Sequence, residues 1–127
     1  MKDKYGRRRS KGFTLVEVLV VVFIIEVLVV IALPSYINSV YQARQETANS
    51  NSKSLAIAVQ SHAITASSYD TVVLDYATDL GGSVPLNPCT ATTTGYTITA
   101  TATTATVTAG AGTNCGTWTP VTYSLTL

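Results

Sequence analysis

Hydrophobic and polar positions divide this chain into three stretches. From Phe13 to Leu33 it is apolar apart from Thr14, Glu17 and Glu26. Those 21 residues, wound as a helix at ~1.5 Å per residue, cover roughly 31 Å, close to the ~30 Å hydrocarbon core of a bilayer. Beyond Pro34 the pattern becomes amphipathic. Ile37, Val40, Tyr41, Arg44 and Ala48, then Leu55, Val59 and His62, recur at helical spacing and predict one face. Pro34 lacks a donor and crowds the preceding turn, so it kinks or loosens the helix rather than ending it. Gln45 to Ser54 is rich in Asn, Ser and Thr, a weak helix by propensity that relies on packing. The expected element is one helix over 13–65.

From Ala66 the composition shifts to Thr, Ala, Gly and Ser. Ser67 to Thr93 contains Gly81-Gly82, Pro85 and Pro88 and reads as an ordered loop. Gly95 to Ala100 and Thr104 to Thr108 alternate with period two, and Thr117 to Leu127 holds a third strand-forming run. Pro120 predicts that this last strand is interrupted or lies at an edge. Tyr96, Ile98, Val107, Trp118, Val121, Tyr123 and Leu125 supply large side chains for a small core. The fold class is therefore α+β: a long N-terminal helix on an antiparallel sheet of three to four strands.

Charge changes the reading of the apolar run. The arm before it carries Lys2, Lys4, Arg7, Arg8, Arg9 and Lys11, a cationic flank that stays cytoplasmic while the run inserts. A secretory signal peptide would have a shorter apolar core and a small-residue cleavage site, for which Val30-Ile31-Ala32 is a weak candidate. Two glutamates and Leu33-Pro34 count against it. The arginine run lacks the apolar residues that follow a twin-arginine export signal. A plain membrane anchor explains the hydropathy but leaves Glu17 without a reason, because a carboxylate in the bilayer costs several kcal/mol, roughly, unless it is paired.

Gly12-Phe13-Thr14-Leu15-Val16-Glu17, the apolar helix after it, and Pro34 twenty-two residues beyond Gly12 resemble the N-terminal signature of type IV pilins and pseudopilins. The resemblance covers about the first third of the chain. It implies that a prepilin peptidase removes residues 1–12 as a leader of class III type, cutting between Gly12 and Phe13, and methylates the new amine of Phe13. It also implies that Glu17 neutralises the Phe13 amine of a neighbouring subunit during assembly. In low dielectric an unpaired carboxylate and an unpaired ammonium are both penalised, so such a pair is favoured over two orphans and fixes register.

Glu26 lies outside that signature. Nine residues from Glu17, it falls on the opposite side of the helix. It is either a carboxyl group that only raises the cost of insertion, or a second contact between subunits with a neighbour's Arg44 as the cation.

The whole chain has eight basic and seven acidic side chains. Without the leader, two bases (Arg44, Lys53) face six acids (Glu17, Glu26, Glu46, Asp70, Asp75, Asp79), about minus four, a poor footprint for direct nucleic-acid binding. Cys89 and Cys115 lie in the part expected outside the cytoplasm, where they most simply form one disulfide that closes a loop of about 27 residues and stabilises by roughly 3 kcal/mol. Two thiols and His62 have no metal-ligand spacing. Asp70, Asp75 and Asp79 lack the spacing of a calcium loop and read as a solvated loop. No nucleophile has a base partner at motif spacing, so no catalytic residue and no cofactor is expected.

The domain reading is a leader over 1–12, a transmembrane or filament-core helix over 13–34, the rest of the helix over 35–65, and a loop-plus-sheet domain with the disulfide over 66–127. By resemblance the chain is a major pilin, a helical homopolymer drawn from the inner membrane by an assembly platform and passed through an outer-membrane secretin to become an extracellular pilus. Twitching motility, adhesion and DNA uptake are the roles this implies. The alternatives are a pseudopilin of a type II secretion system and a membrane-tethered binding domain that does not polymerise.

Overall fold

The computed structural model of the chain describes residues 12–69 and 81–127. The basic arm of Lys2 to Lys11 and the aspartates Asp70, Asp75 and Asp79 lie outside the described residues. Along the chain run α1 (Leu15–Ala66), β1 (Tyr96–Ala100), β2 (Thr104–Ala109), a short 3-10 turn (Thr113–Cys115) and β3 (Thr122–Thr126). A long apolar N-terminal helix and a three-stranded antiparallel sheet together make an α+β, pilin-like fold. The chain divides between Tyr36 and Ile37 into two compact units.

The first unit is the apolar half of α1. Pro34 lies inside the helix, which continues past it. Among the described residues, α1 is one helix long and apolar enough to cross a membrane. Its large side chains, including Leu19, Phe23, Leu28 and Ile31, are all exposed. A helix satisfies its own backbone hydrogen bonds, so such a segment is stable in an apolar surrounding without tertiary contacts.

In the second unit the remaining turns of α1 pack on the sheet. The strands lie in the order β1-β2-β3. Ile98 pairs with Val107, which pairs with Tyr123, so one register places all three on the inner face. Ala105, Val107 and Ala109 of the central strand are buried there, with Tyr96, Ile98, Tyr123 and Leu125 half-buried beside them. The helix contributes Leu55, Val59 and Ala63. Each large side chain fully buried this way stabilises the unit by about 1.5–3 kcal/mol.

The buried helical face differs in part from the expected stripe. Ala48, Leu55 and Val59 are buried, but Ser52, Ala56, Ala58 and Ala63 join them, whereas Ile37 stays 40% exposed and Arg44 lies in solvent. Small residues let the helix sit close to the sheet, and Ser52 is tolerated because its hydroxyl donates to the Ala48 carbonyl at 3.0 Å. Tyr69, beyond the helix end, is fully buried and its hydroxyl bonds to Gln60. Val121 is 44% exposed rather than in the core. Pro120 offers no donor to the ladder, β3 begins only at Thr122, and the Val121 amide donates to Asn49 Oδ1 at 3.2 Å instead.

Candidate assembly site

The N-terminal end of α1 is built by three residues. Gly12 and Phe13 precede the helix, and the Phe13 ring is 78% exposed. Thr14 caps it: the Glu17 amide donates to Thr14 Oγ1 at 3.3 Å, and the Val18 amide to the Thr14 carbonyl at 3.3 Å. The sequence Thr14-x-x-Glu17 is a capping-box spacing, a signal that assigns Thr14 a role of its own. Glu17 stands in the first turn, where the helix N-terminus favours a negative charge. Among the described residues no side chain or terminus pairs with the Glu17 or Glu26 carboxylate. The chain thus presents two exposed carboxylates on opposite flanks of an apolar helix.

The polar stretch Gln45 to Ser54 and its neighbour Arg44 turn out to be the attachment between helix and sheet domain. Arg44 Nη1 donates to the Asn114 carbonyl at 2.8 Å, and Gln45 Nε2 to the Cys115 carbonyl at 2.8 Å. Asn51 Nδ2 donates to the Leu86 carbonyl at 3.1 Å. Asn51 is a poor helix former because its side chain competes for backbone partners, and here the backbone it bonds belongs to a loop. Arg44 therefore spends part of its donor set inside its own domain, which weakens its claim as the cation for a neighbour's Glu26.

Cys89 and Cys115 form a disulfide with 5.0 Å between their Cα atoms, and both are fully buried. The bridge ties the loop before β1 to the turn between β2 and β3. Gly112 packs so tightly on the Cys89 carbonyl that a Cβ there would come within 2.0 Å of its oxygen. Asn87, also fully buried, clamps the same region: Nδ2 donates to the Gly95 and Gly110 carbonyls, and Oδ1 accepts from the Cys89 amide at 2.9 Å. Sequence reading missed Asn87, although Asn between Leu86 and Pro88 in a turn-rich loop is a known turn-forming signal. Burial pushes the Tyr96 phenol above its ordinary pKa, and the Asn51 side chain works against this to a lesser extent. Among the described residues the hydroxyl itself has no partner within hydrogen-bonding geometry.

Comparison with known proteins adds one finding. Residues 7–33 match the family model of the prokaryotic N-terminal methylation motif. The match spans roughly a fifth of the chain and includes Gly12, Phe13, Thr14, Glu17 and Glu26. It supports the type IV pilin and pseudopilin family, a structural rather than an enzymatic class. No curated protein and no solved structure matches the chain.

Proposed function

We propose that this chain is a major pilin, the repeating subunit of a type IV pilus. The observation that carries the reading is an apolar helix with its side chains exposed and, in its first turn and within the methylation motif, a carboxylate, Glu17, that is unpaired among the described residues. A prepilin peptidase cuts between Gly12 and Phe13 and methylates Phe13. Before assembly the subunit is a single-pass inner-membrane protein with its N-terminus in the cytoplasm.

On assembly, Glu17 of one copy takes up the Phe13 amine of the next, and the apolar helices bury one another. Pro34 loosens the helix where it leaves the bilayer. Glu26, on the flank opposite Glu17, makes a second contact between neighbouring helices. The assembly platform lifts each subunit into the growing fibre, which leaves through the secretin. The disulfide-stapled domain forms the fibre surface and meets what the pilus binds in adhesion, twitching or DNA uptake. Its few bases make a direct grip on DNA a poor fit.

Immunogold labelling with antibody against the sheet domain separates this from the rival readings. Label along the whole length of surface fibres is expected. Label confined to the envelope, with fibres bare, would point to a pseudopilin or a tethered domain.

A further inference from the structure

In an α-helix each amide donates to the carbonyl four residues back, so a longer α1 would bond the Glu17 amide to the Phe13 carbonyl and the Val16 amide to that of Gly12. Thr14 intercepts the first of these bonds. The Glu17 amide donates to Thr14 Oγ1 at 3.3 Å, and the ladder begins with the Val18 amide on the Thr14 carbonyl, also at 3.3 Å. Helix α1 accordingly starts at Leu15, and Gly12, Phe13 and Thr14 lie before it, all exposed.

A second observation marks the same boundary. With Thr14 as the cap, Phe13 is the residue before it and Val18 the fourth residue of the helix, the two positions whose side chains meet in a hydrophobic staple. Phe13 and Val18 line one groove on α1, with Leu15 and Val22 beside them. Cap and staple together set the angle at which the chain enters the helix. Gly12 opposes extension as well, because glycine is among the poorest residues inside a helix.

The boundary falls beside the Gly12–Phe13 bond. An enzyme that cuts a peptide pairs with the backbone of an extended segment on both sides of the bond. A Gly12 carbonyl already bonded to the Val16 amide, in a helix two residues longer, would have to be freed first. The fraction of chains in the open form then scales the rate of cleavage.

We propose that Thr14 is a positioning residue for leader removal: by holding the Glu17 amide it stops α1 short of Phe13 and presents the Gly12–Phe13 bond in extended form. The inference rests on the cleavage proposed at that bond and names the residue that prepares it. Hydrolysis adds one water across the amide, leaving a carboxyl group on Gly12 of the leader and the amine on Phe13 of the subunit. Thr14 gives up no proton and touches no reacting atom. It acts through the backbone of Phe13.

The test follows cleavage of the full chain, in detergent, by a purified prepilin peptidase. Thr14→Val keeps the shape of the side chain and removes its oxygen, so kcat/KM should fall about fivefold, the weight of a typical cap. Thr14→Ser and Thr14→Asn cap as well and should be cut within about twofold of the unaltered chain. The Cα chemical shift of Phe13 in micelles should move toward its helical value in Thr14→Val alone. The Cys89–Cys115 bridge, in the other unit, should form in every variant and reports that each is folded.

Equal rates for Thr14→Val and the unaltered chain would overturn the proposal. So would cleavage kept by Thr14→Ser but lost by Thr14→Asn, because that pattern marks a hydroxyl that touches the peptidase rather than one that caps the helix. An unaltered chain that the peptidase leaves whole would sink the processing reading, and this inference with it.

Discussion

Replacing Glu17 by alanine should leave a protein that inserts in the membrane but forms almost no filaments. The substitution removes the only carboxylate of the first turn yet keeps the backbone bond from residue 17 to Thr14 Oγ1, so the helix start survives. Insertion becomes easier, since an ionisable group has left the bilayer. Assembly loses its pairing: the neighbour's Phe13 ammonium must then be buried alone, and breaking a buried pair costs about 3–5 kcal/mol. Over an assembly equilibrium that is a loss of roughly a hundredfold or more. Yields of sheared and membrane fractions from the same cells read this directly. Equal sheared yields from Glu17→Ala and the unaltered chain would remove Glu17 from assembly.

The second large effect is expected from the disulfide. The bridge joins residues 26 apart, and the chain-entropy relation gives roughly 3–4 kcal/mol for that loop. The core it supports is small: its largest fully buried apolar side chains are Tyr69, Leu55, Val59 and Val107. Against typical domain stabilities of about 5–15 kcal/mol, this is a large share. The double variant Cys89→Ser/Cys115→Ser should melt roughly 12–30 °C lower in detergent extracts. A melting temperature within a few degrees of the unaltered chain would mean that the helix–loop hydrogen bonds hold the domain unaided.

How far the chain could be read depends on which interactions are local. The apolar run, the Gly12–Glu17 junction and the alternation in Tyr96–Ala100 and Thr104–Ala109 are short-range patterns, and the helix and first two strands follow them closely. The start of β3 was harder, because Pro120 shifts the ladder start and turns Val121 outward. Least legible were long-range bonds from polar residues of the helix. Asn49 and Asn51 look like a weak stretch of helix and Gln45 like an ordinary helical residue, and only the fold reveals that loops 35 to 72 residues away need them. Asn87 was hidden for the same reason. Its partners Gly95 and Gly110 come together only when β1 and β2 pair. At the assembly site, Gly12, Phe13 and Glu17 were visible in the motif, while the capping role of Thr14 lay in the same six residues.

The central claim is that the chain is cut after Gly12 and polymerises through the end this exposes. Mass spectrometry of intact protein and N-terminal peptides from sheared fibres, without reduction, tests it most directly. The account predicts a chain that begins at N-methylated Phe13, dominates the sheared fraction and is lighter by two hydrogens for the Cys89–Cys115 bridge. A chain that keeps Met1 to Gly12, or one cut after Ala32, would contradict it.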